Sequence, residues 1–476
     1  MALVIFAAIA VFVAVIAIRT IRFTPKPQPE ISDETFDFDK DAAVDALAQL
    51  VRCKTVSYND KSLEDDAEFE KLYALLPQLY PNVFKVCTME RVPDRALLFR
   101  WPGKTAGDPA VMMAHYDVVP VDEEKWDKPP FAAIIEDGVL WGRGTLDTKV
   151  TINGVLSAAN YLIAQGFQPE HDIYFAFSGG EEVNGIGAPN IVSYFADNNI
   201  TPSIVVDEGG AVVENVFPGV KQPCGLIGIA EKGMMNVQYR TLSAGGHASA
   251  PKPHTPVGIL AAACKRVEDH PFKAHIEGPA AQMFDTLGRY STPLYRMIFA
   301  NLWCLGWVID LLGKLSGGEM NALVRTTSAF TQMQGSSARN VIPPEATMVA
   351  NMRLNPADSV ASATEYLKKT VNNEAVEITV LESFEPSRVS QIDCEAWNKV
   401  SAAVAETWRG CIVAPYLMVQ CSDSRHYGRI SDKVYRFSAM DLTAQERSTI
   451  HGNNERIRLE TVSKAVEFYI RLMKRC

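Results

Sequence analysis

A chain of 476 residues, 47% hydrophobic and 21% charged, is long enough for about three compact domains, or two if one is discontinuous. Its formal net charge of −10 argues against nucleic acid as a partner, which asks for basic patches. Nine cysteines, an odd number with no CxxC pair, match neither a disulfide framework nor a cysteine zinc site.

The first predicted element is an apolar helix. Residues Ala2 to Ile18 carry no polar side chain, close to the roughly 20 residues that a spanning helix needs. A cleaved signal peptide has a positive n-region and a small-residue cleavage site. Neither is visible, so residues 1–20 read as a transmembrane anchor ahead of a signal segment, which would leave the protein secreted. Arg19, Arg22 and Lys26 follow, and residues 21–37, where prolines alternate with polar residues, read as an extended tether. The positive-inside rule holds such charges on the cytoplasmic side.

Residues 38–232 repeat one pattern, an apolar strand-like run that ends in a metal-ligand residue type. The run Ala110 to Ala114 ends in His115, Tyr116, Asp117, and residues two apart in extended chain point the same way. His115 can bind a metal while the Asp117 carboxylate accepts the other ring N–H and fixes its tautomer. A surface polar pair is the plainer alternative. The turn Gly142 to Lys149 places Asp147 at the mouth of an amphipathic helix, where an Asp either caps the helix or bridges two metal ions. The strand-like run Ile173 to Phe177 leads to Glu181 and Glu182, adjacent carboxylates that point in different directions, so one can bind metal while the other faces substrate. The run Ile204 to Val206 leads to Asp207 and Glu208, either of which can be a ligand; Glu208 is taken here.

From residue 233 to 383 the pattern changes. Alternating runs near Val237, Ser328 to Met333 and Thr347 to Leu354, helices opening at Thr255 and near Asp358, and a strand Val376 to Val380 follow a β-α-β-β-α-β order. That order predicts an inserted, ferredoxin-like α+β domain. It carries His247 in a Gly-rich loop, Asn340 and Arg353. The apolar stretch Met297 to Gly313 lies inside this insert. It contains Asn301 and Asp310, which are costly in lipid, so a buried or lipid-facing helix is expected in preference to a span, with Trp303 and Trp307 lining an acyl pocket.

Residues 384–476 complete the first domain. The loop Ser422 to His426 is polar, and His451 stands just before an amphipathic helix on which Leu459, Val462, Val466 and Ile470 recur at helical spacing. In open α/β sheets, strand-end residues from distant segments meet at one edge. His115, Asp147, Glu182, Glu208 and His451, with Glu181 beside them, therefore read as a two-zinc hydrolase site on an α/β catalytic domain.

The stretches HYDVVPV from His115, GRGTLDTK from Gly142, the Glu181–Glu182 pair, DEGG from Asp207, GGHASAP from Gly245 and HGNNER from His451 recur together in one known group. With them, residues 38–476 resemble the aminoacylase/carboxypeptidase/dipeptidase superfamily of co-catalytic zinc exopeptidases, nearest its carboxypeptidase S and N-acyl-amino-acid hydrolase branch. The resemblance implies two Zn2+ per chain, His115 and Glu208 on one, Glu182 and His451 on the other, and Asp147 bridging them. It implies that Asp117 orients His115, Glu181 is the general base, His247 stabilises the oxyanion, sometimes from a partner subunit, Arg353 grips a substrate carboxylate, and Asn340 also binds substrate. It makes the insert a lid and homodimerisation domain, and the Ser422 to His426 loop a substrate-side loop. Anchored members of the family are usually lumenal or extracellular, which opposes the positive-inside reading. One departure is Gly180, where an Asp often precedes the Glu pair.

Two zinc ions, for which Co2+ or Mn2+ are alternatives with the same donors, and one general base suffice for amide hydrolysis. The leading expectation is a membrane-anchored di-zinc hydrolase acting on N-acyl amino acids, or on peptides with a free C-terminal carboxylate. A strict dipeptidase or small-molecule deacylase on the same scaffold is the alternative. A non-catalytic dimeric binding protein is opposed by the presence of every ligand type together with Glu181.

Overall fold

The computed structural model describes residues 1–476. In chain order the principal strands are β1 (Thr88–Val92), β2 (Ala96–Trp101), β3 (Ala110–His115), β4 (Ile173–Ser178), β5 (Ile204–Val213), β6 (Cys224–Glu231), β7 (Gly233–Leu242), β8 (Thr327–Gln334), β9 (Glu345–Leu354), β10 (Glu377–Phe384), β11 (Ile412–Met418) and β12 (Val434–Leu442). The helices used below are α1 (Ala2–Arg22), α2 (Lys149–Ala164), α3 (Pro256–Asp269), α4 (Gly278–Gly288), α5 (Pro293–Ala300), α6 (Leu302–Ser316), α7 (Val360–Val371) and α8 (Leu459–Met473).

An eight-stranded sheet in the order β1-β2-β4-β3-β5-β12-β6-β11 forms the larger layer. Every residue of β3 and β4 is buried, which is what a strand covered by helices on both faces requires. Strands β4, β3, β5 and β12 run parallel, so their carboxyl ends open on one edge. Helices α2 and α8 pack side by side, and the close approach is made at Gly154, where a Cβ would stand 3.0 Å from the Tyr469 ring.

The smaller layer is a four-stranded sheet, order β8-β9-β7-β10, antiparallel throughout. Burial alternates along β9, whose Met348, Ala350, Met352 and Leu354 meet Leu260 and Val267 of α3 and Leu367 of α7 in a separate core. Residues 278–324 leave this core. On α4, Met283, Phe284 and Leu287 are buried at helical spacing, and they turn with Phe299 and Val324 into the main core, where Phe217 meets Phe284 and Phe299 at ring separations of 5.9 and 4.8 Å. The stretch Met297 to Gly313, read from sequence as one buried or lipid-facing helix of the insert, forms the end of α5 and most of α6, bent 116° apart.

Helix α1 buries none of its residues and is long and apolar enough to cross a membrane or to serve as a signal segment. It packs against α5 and the start of α6: Arg19 Nε donates to the Ala300 carbonyl at 3.1 Å, and Phe12 meets Trp303 edge to face.

Candidate metal centre

The carboxyl edge of the parallel strands gathers the residues that carry chemistry. His115 ends β3 and is buried; Glu181 and Glu182 follow β4 in a single 3-10 turn; Asp147 precedes α2. The two oxygens of Asp147 face different histidines: Oδ1 lies 3.0 Å from His115 Nε2 and Oδ2 lies 3.0 Å from His451 Nε2. Glu208 Oε1 stands 3.3 Å from His115 Nε2, and Glu182 Oε2 stands 3.1 Å from His451 Nε2. The cluster thus has two halves that share Asp147. His115, Asp147 and Glu182, and likewise His115, Glu181 and Glu208, offer ligand atoms within 4.8 Å of one another.

A local backbone irregularity aims Glu208. Asp207 pairs with Arg436 and Gly210 with Phe437, so Glu208 and Gly209 form a bulge between them. Gly209 has φ +144, and a Cβ there would lie 2.7 Å from Arg436 Cβ, so only glycine fits the turn of the chain. Asp207 points elsewhere: its Oδ2 accepts the Ser424 N–H at 3.0 Å.

Charge is crowded here. Burial pushes Glu208 up to about 8, with Asp147 and Asp207 adding to the shift against His115. Glu181 is held well above the carboxylate range by burial, with the charges of Asp423, Glu208 and Glu182 adding and His115 opposing. Burial also raises Glu182, against its hydrogen bond to His451. Hydrogen bonds to Asp147 and Glu182 raise His451 to about 10. For His115, burial opposes the charge, but Glu208 and the hydrogen bonds to Asp117, Asp147 and Glu208 outweigh it and raise the imidazole well above its ordinary value. One oxygen of Glu182, Oε1, is buried with no partner. Close-set carboxylates, two imidazoles and an unpartnered carboxylate oxygen fit divalent cations, whose charge offsets this repulsion.

Three buried side chains hold the cluster. Asp117 was expected to accept a ring N–H of His115 with its carboxylate. His115 Nδ1 faces both the Asp117 carbonyl oxygen, at 3.0 Å, and its carboxylate Oδ1, at 3.4 Å. Better donors occupy the carboxylate: the Ser57 hydroxyl at 2.6 Å and the N–H groups of Glu181 and Glu182, each at 3.2 Å. Asp117 therefore also fixes the turn that carries the Glu pair. Sequence reasoning gave no role to Glu455 and Arg143. Glu455 accepts from Leu146 N–H at 2.7 Å and from Arg143 Nη1 at 2.6 Å, and Arg143 Nη2 donates to the Gly452 carbonyl at 2.8 Å. The available signal was their place, Arg143 inside the GRGTLDTK stretch and Glu455 inside HGNNER.

A cavity of about 590 Å³ opens beside the cluster, lined by Asp147, Glu181, Glu182, Glu208 and His451 and, on its apolar side, by Val213, Leu226, Tyr416, Met418, Met440 and Leu442. Trp303 and Trp307, expected to line an acyl pocket, are not on it. Both are exposed on α6, because the buried face of that helix is the one with Ile309 and Gly313. Arg353 reaches the cavity's edge, with Nη1 3.0 Å from Sγ of the lining residue Cys421. His247 and Asn340 are brought together, Ala248 N–H donating to the Asn340 carbonyl at 3.0 Å, but both are exposed and neither lines the cavity. The loop Ser422 to His426 braces the sheet edge: Ser178 Oγ donates to Asp423 Oδ2 at 2.5 Å and Ser422 N–H to Glu231 Oε2 at 2.6 Å.

Comparison with known proteins agrees with this geometry. The family described as Peptidase family M20/M25/M40 matches residues 111–475. A probable carboxypeptidase S-like 2 of Dictyostelium discoideum is 32% identical over 474 residues, covering 96% of this chain and 91% of that protein. The N-fatty-acyl-amino acid synthase/hydrolase PM20D1 of Xenopus tropicalis is 33% identical over 478 residues, covering 98% and 93%. Among solved structures, the M20 family metallo-carboxypeptidase Sso-CP2 from Sulfolobus solfataricus shares the fold with a TM-score of 0.67 at 19% identity, over 91% of this chain and 98% of that one. The chain belongs to peptidase family M20/M25/M40 and is an enzyme of the metal-dependent hydrolase type.

Proposed function

We propose that this enzyme is a di-zinc amidohydrolase that releases a free amino acid from N-acyl amino acids or from peptides with a free C-terminus. The single observation that carries the reading is Asp147, with one oxygen toward His115 and Glu208 and the other toward His451 and Glu182. These five residues would hold two zinc ions, which when bound would supply Lewis acidity toward water and the scissile carbonyl. Glu181 is the general base: it takes the water's proton at its carboxylate and delivers a proton to the leaving amine. Asp117 holds the Glu181 turn in place.

Arg353 is assigned to the substrate carboxylate, for which a guanidinium fork is suited. The apolar wall of the cavity, with Val213, Leu226, Met418 and Leu442, favours an acyl group over a second amino acid, and so favours N-acyl amino acids over a strict dipeptidase. The smaller sheet with α3 and α7 is read as a ferredoxin-like lid and homodimerisation domain, and the exposed His247 and Asn340 as groups offered to a partner's cavity. Helix α1 is read as a membrane anchor.

The test is release of free amino acid by the full chain in detergent, from dipeptides and from short- and long-chain N-acyl amino acids, with and without chelator. Chelator-sensitive release, greater for acyl substrates, is expected. No release from any substrate by protein holding two zinc ions would sink the proposal.

A further inference from the structure

The most exposed apolar surface outside α1 is a stripe on α6. Trp303, Trp307, Leu311 and Leu315 recur every fourth residue, which puts them on one helical face. Trp303 is 57% exposed, Trp307 63% and Leu315 76%. Leu294, on α5, adds to the same region of the chain and is 64% exposed. Large contiguous apolar surfaces of this kind mark a missing partner.

The attachment of this stripe to α1 says which partner. Asn301, at the bend between α5 and α6, is fully buried and its amide lies 3.2 Å from Thr20 Oγ1 and 3.4 Å from the Ile16 carbonyl. Arg19 is tied to Ala300, whereas Trp303 lies against Phe12, with ring centroids 5.8 Å apart. Phe12 is seven residues before Arg19 on a continuous helix, about 10 Å along its axis at 1.5 Å per residue. A hydrocarbon core is about 30 Å thick. If Arg19 marks its boundary, the depth of Phe12 lies inside it, and Trp303 must share that depth.

We propose that the elbow formed by α5 and α6 enters the acyl-chain region of a lipid leaflet beside α1, as a second, non-spanning membrane element held by Trp303, Trp307, Leu311 and Leu315. This rests on the reading of α1 as a membrane anchor. An amphipathic helix lying in the interface buries its apolar face about 5–10 Å below the headgroups, a depth that accommodates this stripe. The polar side of α6 is already satisfied within the protein, Asp310 pairing with Lys314 at 2.8 Å and with Arg325 at 2.5 Å, so only the apolar side lacks cover. The elbow leads through Gly317 into the helix Gly318–Val324, whose Glu319 lines the catalytic cavity and pairs with Arg447 at 3.2 Å. The membrane element and a wall of the cavity are thus consecutive in the chain.

The test uses the intact chain of 476 residues in vesicles of phosphatidylcholine, with and without bromine on the acyl chains, read by tryptophan fluorescence and by flotation. Brominated chains are expected to quench the emission, and a Trp303→Phe, Trp307→Phe double variant is expected to lose at least half of that quenching while floating and releasing amino acid as before. The comparison of the two lipids stands on the unaltered chain without any variant. A chain that floats but is not quenched overturns the proposal while leaving the anchor intact, and points to a protein cover such as a second copy. Quenching unchanged in the double variant also overturns it. A chain that does not float overturns the anchor reading and the elbow with it.

Discussion

Glu455 and Arg143, 312 residues apart in the chain, meet at 2.6 Å and are both buried. Through this pair the turn carrying Asp147 is bound to the loop carrying His451, since Glu455 accepts the Leu146 N–H and Arg143 donates to the Gly452 carbonyl. The segments that carry Asp147 and His451 are locked together by charges that touch none of the facing oxygen and nitrogen atoms of the cluster.

Removing one partner of such a pair leaves the other buried and uncompensated, a loss of about 3–5 kcal/mol. Glu455→Ala is therefore expected to lower stability by that order. Metal affinity is expected to fall about 10–100-fold, as when groups supporting a ligand are lost. Urea unfolding and zinc titration check this; a variant with the parent's zinc affinity would show that the pair serves the fold alone.

Glu181→Gln keeps the shape of the side chain and removes its basicity. Turnover is expected to fall about 10²–10⁴-fold, the usual contribution of a general base, with zinc content unchanged. Substantial residual release of amino acid would remove Glu181 from that role.

Gly209→Ala tests the bulge that aims Glu208. With φ +144 and a Cβ only 2.7 Å from Arg436 Cβ, alanine demands a backbone shift at the ligand-bearing residue. Left-handed strain alone costs about 1–3 kcal/mol. Loss of stability together with loss of zinc is expected, and a fully zinc-loaded, fully stable variant would contradict the aiming role.

Burial, with Arg425 and Arg429 nearby, pushes His426 down to about 3 from its ordinary 6.5. Above about pH 6.5 the imidazole is neutral in both folded and unfolded chains, and its contribution to stability is complete. Between about 6.5 and about 3 the unfolded chain takes up a proton that the folded protein refuses, so stability falls as pH falls. His426→Leu is expected to lose less urea resistance than the parent between pH 7.5 and pH 5; equal losses would place the acid sensitivity elsewhere.

Chelation is expected to abolish amino acid release and to lower the thermal midpoint, both recovered on adding zinc. A ligand present at a thousand times its Kd stabilises the folded state by about 4 kcal/mol. An unchanged midpoint after complete metal removal would mean that the carboxylate cluster does not depend on cations for its stability.

Much of the site was legible because each ligand type ends or follows a strongly patterned run. The fully apolar strand ending at His115, the glycine turn before Asp147 and the strand before Glu181 each carry their own local signal. The choice between Asp207 and Glu208 was not legible, since both stand in one strand and a bulge decides which side chain faces His115. The role of Asp117 was half legible. Spacing put it beside His115, but it could not show that Ser57 and the N–H groups of Glu181 and Glu182 compete for its carboxylate. The fate of residues 278–324 was not legible either, because an amphipathic stripe such as that of α4 says that a helix is buried and not which core buries it.

The sequence by itself determined the residue types that cluster at the site, the strands that present them, the apolar first helix and the alternation of the smaller sheet, all of which depend on side-chain period and local turn chemistry. Only the tertiary structure decided that Asp147 faces both histidines, that Glu455 and Arg143 join the Asp147 turn to the His451 loop, and that Trp303 lies against Phe12 at the surface instead of at the catalytic cavity. Those relations join residues hundreds of positions apart. They depend on how layers pack and where the chain bends, which no local pattern encodes.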